Sequence, residues 1–232
     1  YIRFKTPEKK PGKSIFRMEN LHKSYGNENL VIKDFSMEIY RGEKIAVVGN
    51  NGMGKTTLLK MLAGVLEPSS GTLETGHEVN MAYFSQVHED IIEKSGNRTT
   101  IFDWLNQKRT GLYEQDIRSV LGKMLFSGDD AFKAVEHLSG GETARLIIAG
   151  MMLDENNVFL LDEPNNHLDL EAVSALAWAL EMYEGTVVFA AHDRDLVNRV
   201  ADKLIAIEDD GIHIYEGKLD DYLKQRELSQ KK

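Results

Sequence analysis

The residues GNNGMGKT, at positions 49–56, have the types and the spacing of a loop that binds phosphate. They fit the pattern G-x-x-x-x-G-K-[ST], in which glycines let consecutive backbone N–H groups converge on phosphate oxygens. The ammonium of Lys55, which we expect to face solvent, can reach the β- and γ-phosphates of a nucleotide, and the Thr56 hydroxyl can ligate Mg²⁺. A chance glycine-rich turn before Lys-Thr is the alternative, but the loop lies between a strand-like run and a helical pattern, as the motif requires. The expected nucleotide contacts are Gly49, Asn50, Asn51, Gly52, Met53, Gly54, Lys55, Thr56 and Thr57.

Two carboxylates follow the apolar run VFLL at positions 158–161. The run predicts a buried strand, and Asp162 then lies at its carboxyl end, where open α/β sheets bind ligands. We expect Asp162 to hold Mg²⁺ through water and Glu163 to polarise the attacking water. A buried strand followed by a solvated acidic turn is also common, but the P-loop upstream favours the catalytic interpretation.

Three further side chains could complete such a site, although each has a purely structural alternative. Gln86 ends the run VNMAYFSQ and could contact Mg²⁺ or the water, whereas an isolated glutamine is usually a surface residue. His192 ends the run TVVFAAH and could hydrogen-bond the γ-phosphate, whereas a lone histidine there is more often structural. Tyr25 could stack on adenine, and a half-buried tyrosine in a turn is equally compatible with the sequence.

The sequence LSGGE, at positions 138–142, raises a different question. Ser139 and Glu142 have the S-x-x-E spacing of a capping box at a helix start, which is the structural alternative. A capping box does not account for Gly140 and Gly141, because glycine is a poor residue for a helix. Two adjacent glycines leave the N-terminal amides open, which indicates that a phosphate approaches them closely.

The elements that would position these residues alternate between strands and helices. Helical patterns at 55–63, 170–182 and 196–201 separate strand-like runs, which indicates a mainly parallel sheet in an α/β fold with a P-loop NTPase core. Residues 14–48 are rich in β-forming runs, and we expect an N-terminal antiparallel β subdomain there. From 99 to 153 the periodicity is helical, with a helix over 143–152, and we interpret this part as an inserted helical lobe.

Composition and charge exclude several classes of function. The chain has 232 residues, of which 42% are hydrophobic, enough for one large domain or a core with a lobe. Lys and Arg number 28 against 37 Asp and Glu, and this net charge of −9 argues against nucleic-acid binding by the whole surface. The lack of cysteine excludes disulfides and fits a reducing cytoplasm. No apolar stretch approaches the roughly 18 residues of a membrane-spanning helix, so we expect no membrane insertion.

The chain begins without Met, in the basic, proline-containing stretch YIRFKTPEKKPGK at positions 1–13. This stretch has no apolar signal-peptide core. We expect it to be a linker remnant, and the chain to be a fragment of a longer polypeptide whose ATP-binding domain covers 14–232.

Taken in order, GNNGMGKT, Gln86, LSGGE, LLDEP and His192 resemble the motifs of the nucleotide-binding domain of an ABC ATPase. The resemblance extends over about residues 14–222. It implies that two such domains sandwich two ATP molecules head to tail, with Mg²⁺ as cofactor. It also implies that one loop covers the γ-phosphate of ATP held by a second cassette; this loop comprises Ser139, Gly140, Gly141 and Glu142.

A subfamily resemblance rests on two further segments. DEPNNHLDLEAV is similar to the D-E-P-T-N-H-L-D of ABC-F proteins, soluble tandem ATPases that act on ribosomes, whereas transport subunits more often carry Ser-Ala-Leu-Asp there. IYEGKLDDYLKQRE is similar to the ABC-F pattern Y-x-G-x-Y-x-x-Y at Tyr215, Gly217 and Tyr222. The departures from the family pattern are Asn165 for Thr, Ala191 for Ser and Leu219 for Tyr, and none of them removes a proposed catalytic group.

The resemblance implies a cytoplasmic ATPase that regulates translation, with this chain as its second cassette. ATP would close two cassettes on a ribosome and its rRNA, and hydrolysis through Glu163 and His192 would release them. The motor subunit of a membrane ABC transporter shares this chemistry and is the alternative. A nucleotide sensor that binds ATP but scarcely hydrolyses it is a third hypothesis.

Overall fold

The computed structural model describes residues 10–26, 29–85, 99–107, 113–126, 128–166 and 168–230. The strands are β1 (Ser14–Tyr25), β2 (Asn29–Tyr40), β3 (Lys44–Val48), β4 (Ser70–Thr75), β5 (Met81–Phe84), β6 (Val158–Asp162), β7 (Thr186–Ala190), β8 (Lys203–Glu208) and β9 (Gly211–Glu216). The helices are α1 (Lys55–Leu62), α2 (Ile101–Gln107), α3 (Glu114–Lys123), α4 (Gly140–Leu153), α5 (Leu170–Met182), α6 (Arg194–Val200) and α7 (Leu219–Gln230). Two short 3₁₀ helices, Gly128–Phe132 and Val135–His137, precede α4.

The larger of two sheets has six strands in the order β5-β6-β7-β3-β8-β9. The first five strands are mutually parallel, and β9 pairs with β8 in the antiparallel direction. Since strand order does not follow chain order, the helices cross over the sheet as in doubly wound α/β proteins. This confirms the predicted α/β fold with a mainly parallel sheet.

The smaller sheet contains three antiparallel strands in the order β2-β1-β4. β1 and β2 are each 12 residues long and form a hairpin, and β4 returns to the other edge of β1 after α1. The predicted antiparallel β subdomain near the N-terminus is therefore confirmed, and it includes a strand that follows the P-loop in sequence.

Alternating side chains of the central strands build two hydrophobic clusters, one on each face of the large sheet. On β3, Ile45 and Val47 pack with α1 and the small sheet. Ala46, between them, faces the opposite cluster, which contains α4, α5, α6 and the helical segment that begins near residue 100. Because β3 is buried on both faces, its position is fixed from both sides, and so is the start of the loop that follows it.

Two element boundaries differ from the sequence predictions because capping, rather than periodicity, sets them. α4 begins at Gly140 instead of residue 143, with Ser139 as its N-cap. α6 begins at Arg194 instead of residue 196, because the carboxylate of Asp193 accepts a hydrogen bond from the backbone N–H of Leu196 at 2.8 Å. In addition, β7 ends at position 190, so His192 lies beyond the strand rather than at its last position.

Lys44 ties the amino end of β3 to the chain before β7. Its ammonium donates to the carbonyl oxygens of Tyr183 and Gly185, both at 2.5 Å, and lies 4.9 Å from the centre of the Tyr183 ring. Burial lowers the pKa of Lys44 to about 8. The amino end of this central strand is thus held by polar contacts.

Among the described residues, none of the helices combines the length and the apolar character needed to cross a bilayer.

Candidate nucleotide-binding site

A cavity of about 520 Å³ opens at the carboxyl edge of the large sheet. This is the edge at which open α/β sheets bind ligands. The lining residues come from the P-loop, from the turn after β6, from the residues after β7 and from the small sheet: Tyr25, Val31, Asn51, Gly52, Gly54, Lys55, Thr56, Thr57, Glu163, Asn166 and His192.

Strand register explains why distant motifs meet at this edge. Ala190, the last residue of β7, lies opposite Val47 of β3 on one side and opposite Asp162 of β6 on the other. Consequently the P-loop, Glu163 and His192 all leave the sheet at nearly the same level. Parallel pairing therefore brings the P-loop together with two segments that lie more than a hundred residues farther along the chain.

The P-loop requires glycine at two described positions for steric reasons. Gly49 has φ 145°, and a Cβ there would lie 2.3 Å from the carbonyl oxygen of Ile207 on β8. Gly54 has φ 114°, and its Cβ would lie 2.5 Å from the side chain of Val31. Gly54 is also the N-cap of α1, so the amides at the helix start are left open toward the cavity.

Lys55 is buried, contrary to the expectation that it faces solvent. Only 7% of the residue is exposed, and its ammonium donates to the carbonyl oxygens of Gly49 at 2.8 Å and Asn50 at 3.1 Å. Burial lowers the pKa of Lys55, while the charges of Glu163 and Asp162 oppose this shift. The lysine therefore braces the P-loop from inside as well as lining the cavity.

Asp162 has the environment of a carboxylate that needs a cation. It is 1% exposed, and no hydrogen bond of good geometry reaches either carboxylate oxygen from the described residues, although the Thr56 hydroxyl lies nearby. Burial raises the pKa of Asp162, and the Thr56 hydroxyl and the charges of Lys60 and Lys55 oppose the shift without removing it. Buried, unpaired carboxylate oxygens beside a hydroxyl fit the hard oxygen ligands that Mg²⁺ requires.

Glu163 and His192 form a contacting pair at the cavity wall. Oε2 of Glu163 accepts a hydrogen bond from the backbone N–H of His192 at 3.3 Å. Oε1 of Glu163 lies 3.3 Å from Nε2 of His192. Glu163 is 6% exposed, whereas half of the His192 side chain is open to solvent. Glu163 also has φ 50°, a left-handed conformation that non-glycine residues rarely adopt. Strained backbone of this kind is concentrated at functional sites.

Tyr25 lies at the mouth of the cavity. Its hydroxyl is 3.3 Å from the Thr57 hydroxyl, its ring is 5.5 Å from the Lys23 ammonium, and 46% of the residue is exposed. An exposed ring beside the P-loop is in a position to stack on a base, and this role stays a prediction.

Two lining residues were not among the sequence candidates. Val31 enters from β2, next to Gly54, and Asn166 follows Glu163 by three residues, with its backbone N–H donating to the Glu163 carbonyl at 3.1 Å. Asn166 belongs to the NNHLD segment, which carried a subfamily signal but no site prediction. Nothing in the local sequence around Val31 indicates its proximity to the P-loop.

The LSGGE loop lies outside this cavity: none of the described lining residues comes from positions 139–142. The capping box is present, since Ser139 Oγ accepts from the Glu142 N–H at 3.3 Å and Glu142 Oε2 accepts from the Ser139 N–H at 2.8 Å.

Gly140 and Gly141 are the first two helical residues of α4, and neither has a positive φ. Their backbone therefore does not require glycine, and Gly140 is exposed. The capping box occupies the Glu142 N–H, whereas no hydrogen-bond partner is found among the described residues for the N–H groups of Gly140 and Gly141.

The predicted contact of Gln86 with Mg²⁺ or water falls outside the described residues, which resume at position 99 after residue 85. The catalytic, nucleotide-binding and metal-binding roles of all the other site residues remain predictions, now with defined positions.

Comparison with known proteins agrees with the fold and with the sequence motifs of the site. The family model described as ABC transporter matches residues 32–166. Among solved structures, the fold is similar to a metal-chelate type ABC transporter in an inward-facing conformation, with TM-score 0.66, 25% identity and coverage of 88% of this chain and 83% of that one. The bacterial ABC transporter cassette MJ0796, solved as a dimer, gives TM-score 0.71 at 18% identity, with 87% and 98% covered.

Curated relatives define the group more narrowly. The chain is 40% identical over 227 residues to the ATP-binding protein YbiT of Escherichia coli O157:H7, and 40% identical over 218 residues to YdiF of Bacillus subtilis (strain 168). It is 36% identical over 221 residues to ABC transporter F family member 3 of Arabidopsis thaliana. The chain belongs to the ABC family of ATP-binding cassettes, and its similarity to these relatives agrees with the predicted ABC-F type. The two subfamily segments of the sequence also predict a YbiT-like cassette, and the similarity to YbiT agrees with that prediction.

The chain spans less than half of the length of these relatives. The matches cover 97%, 94% and 95% of this chain but only 42% of YbiT, 33% of YdiF and 30% of the Arabidopsis protein.

Lys55→Ala should impair both nucleotide binding and the fold around the P-loop. The Kd for MgATP should rise about 30- to 1,000-fold, because truncating one partner of a buried charge pair costs about 2–4 kcal/mol. The free energy of unfolding should fall by about 1 kcal/mol, because two carbonyl oxygens lose their donor. Nucleotide titration and urea unfolding measure the two effects. Lys123→Ala, a charge loss at the exposed end of α3, is the control and should leave affinity little changed. Near-normal affinity of Lys55→Ala would remove the P-loop assignment.

Proposed function

We propose that the chain is an ABC-F cassette that binds and hydrolyses ATP. The observation that carries this proposal is the meeting of Lys55, Thr56, Glu163 and His192 in one cavity, with Asp162 buried beneath Thr56. A P-loop could serve binding alone. A carboxylate held next to a histidine at the phosphate end of the cavity adds the groups that hydrolysis needs.

Glu163 is suited to act as general base. Its carboxylate can take a proton from a water that attacks the γ-phosphorus, while the bond from that phosphorus to the β-γ bridging oxygen breaks and ADP leaves. His192 Nε2, 3.3 Å from Glu163 Oε1, can orient the carboxylate or donate to a γ-phosphate oxygen. Burial of Glu163 keeps its carboxylate away from bulk water, so that it faces one bound water instead.

Mg²⁺ would be held by the Thr56 hydroxyl and by Asp162, through water, and Gln86 stays a proposed third contact. When bound, the ion would neutralise charge on the phosphate oxygens and supply the counter-charge that the buried Asp162 lacks. The P-loop amides and Lys55 would orient the same phosphates from the other side.

The position of the LSGGE loop supports a site shared between two cassettes. None of the described residues 139–142 lines the cavity that contains Glu163 and His192, although α4 begins with the two glycines Gly140 and Gly141, whose N–H groups have no side-chain cap. We propose that Ser139, Gly140, Gly141 and Glu142 cover the γ-phosphate of ATP bound to a partner cassette. The partner is a second cassette of the same full-length polypeptide, or a second copy of this chain.

The cellular role that we propose is regulation of translation in the cytoplasm, with this chain as the second cassette of its protein. ATP would close the cassettes on a ribosome and rRNA, and hydrolysis would release them. The NHLD segment, the Tyr/Gly pattern near the C-terminus and the identity to ABC-F relatives support this role. The alternative is the motor subunit of a membrane transporter, which the description of the matching family model favours.

Glu163→Gln should bind MgATP but hydrolyse it about 10²- to 10⁴-fold more slowly, because a positioned base is lost while shape and size are kept. Single-turnover hydrolysis and nucleotide titration of the same preparation measure both properties. Turnover within a few-fold of wild type would show that the base lies elsewhere, with His192 as the next candidate. Binding by wild type without hydrolysis, even with a partner cassette, would favour the nucleotide sensor.

The full-length protein carrying Glu163→Gln should co-sediment with ribosomes in the presence of MgATP. Blocked hydrolysis should trap the closed state, whereas Lys55→Ala, which cannot hold ATP, should remain in the supernatant. Quantitative immunoblotting of ribosome pellets compares the two variants at equal expression. Equal, weak sedimentation of both variants, together with co-purification of a membrane-spanning partner, would replace the translation role by the transporter motor.

Gly141→Asp should inactivate the ATP site of the partner cassette rather than the site of the chain that carries the substitution. The new carboxylate would repel the γ-phosphate, but an acidic residue in the first turn of α4 favours the helix, so the fold should be kept. Gly141→Asp and Lys55→Ala should each be nearly inactive alone. Mixed, they should regain activity that rises with protein concentration, because one site of the heterodimer has an intact P-loop and an intact LSGGE loop.

Gly141→Ala, which adds a methyl group without charge, is the matched control and should lose much less activity. If Gly141→Asp alone hydrolyses ATP normally, the LSGGE loop is only a helix cap. If dimers form with MgATP but mixing restores nothing, the assignment to a partner's nucleotide is wrong.

A further inference from the structure

The C-terminal helix α7 faces the rear of the P-loop across a second cavity of about 600 Å³. One wall of this cavity contains Gly49, Asn50 and His192, and the opposite wall contains Tyr222 and Arg226 of α7. The helix and the first residues of the P-loop therefore line the same cavity. A polar bridge at the rim of the cavity connects the two walls.

Glu208, the last residue of β8, is the centre of this bridge. The hydroxyl of Tyr222 donates to Glu208 Oε1 at 2.5 Å, and the guanidinium of Arg226 pairs with Oε2. Arg226 also donates to Asp210 at 3.4 Å. Both carboxylate oxygens of Glu208 are thus held by α7. Tyr222 is 6% exposed, so its bond to a charged acceptor is largely shielded from water.

The end of β8 touches the P-loop directly. β8 pairs with β3 up to Ala206 opposite Val48, so Ile207 extends beside the first P-loop residue. A Cβ on Gly49 would lie only 2.3 Å from the carbonyl oxygen of Ile207, so the two backbone segments are in close contact. A displacement of Glu208 therefore moves the backbone against which Gly49 rests.

We propose that Tyr222 and Arg226 are positioning residues of the nucleotide site. With Glu208 they form a clasp that fixes the end of β8 against Gly49 and so holds the P-loop in the shape that receives phosphates. The effect of the clasp on ATP rests on the proposed function, whereas its effect on the P-loop backbone does not. α7 has further anchors, Arg194–Asp220 at 2.7 Å and Asp220 N–H to Asn198 at 3.1 Å, so the helix should remain docked when the clasp is weakened.

The test compares Tyr222→Phe with Tyr215→Phe by hydrogen exchange of the P-loop amides in nucleotide-free protein. The two tyrosines are well matched: their ring centres are 5.5 Å apart, and the Tyr215 hydroxyl accepts from Gln225 of α7 at 3.1 Å. Both substitutions remove one hydroxyl from the interface with α7, but Tyr222 alone of these two donates to Glu208. Exchange at positions 49–54 should be about 3- to 10-fold faster in Tyr222→Phe than in Tyr215→Phe, because a hydrogen bond to a charged group is lost.

The Kd for MgATP should rise by a similar factor of about 3 to 10 in Tyr222→Phe and stay at the wild-type value in Tyr215→Phe. Equal P-loop exchange in the two variants would overturn the clasp, and so would faster exchange spread evenly over the large sheet, which indicates a structural role alone. If the wild type does not bind MgATP, the proposed function fails while the exchange data still decide on the clasp. Should Tyr222→Phe fail to fold, Arg226→Gln, at a side chain that is 32% exposed, tests the same link.

Discussion

The parallel hydrogen-bond register of β6, β7 and β3 is the constraint on which the candidate site depends. Ala190 lies opposite both Val47 and Asp162, so three strand ends reach the same edge of the sheet together. A slip of one residue in either pairing would turn the side chains of a strand to the opposite face and shift its end by about 3.3 Å. The two hydrophobic clusters prevent such a slip, because each face of β3 is already committed to one of them.

Buried polar groups then give the edge its chemistry. Lys55 turns back onto its own loop, Asp162 keeps two carboxylate oxygens that no hydrogen bond of good geometry reaches from the described residues, and Glu163 is held against His192. Each of these arrangements leaves a charged group partly unsatisfied or its backbone strained, and both conditions cost free energy. Bound nucleotide and cation would supply the missing partners, so that binding and local order become coupled.

Much of this could be predicted from sequence, because motifs and strand ends are local features. The P-loop, Asp162 and Glu163 follow apolar runs whose length fixes where a strand ends, and the fold class follows from the alternation of runs and helical patterns. The burial of Lys55 could not be predicted, because it depends on how the loop closes on itself. The approach of Val31 depends on long-range packing of the hairpin. The S-x-x-E spacing indicates the start of α4 at Ser139. The predicted start at residue 143 was nevertheless wrong, because the two glycines at the first helical positions do not show a helical pattern.

At Glu163 the left-handed backbone lowers the stability of the fold, while the side chain is the one proposed to act in hydrolysis. A glycine there would adopt φ 50° without steric cost and would relieve about 1 kcal/mol of strain, so the more stable sequence is the one without a carboxylate. Selection for stability alone would thus remove the proposed base, and selection for the proposed hydrolysis would have to retain a residue whose backbone conformation is strained. The hydrogen bond from the Glu163 N–H to the Ala190 carbonyl, at 2.9 Å, shows how the neighbouring strand compensates for this conflict.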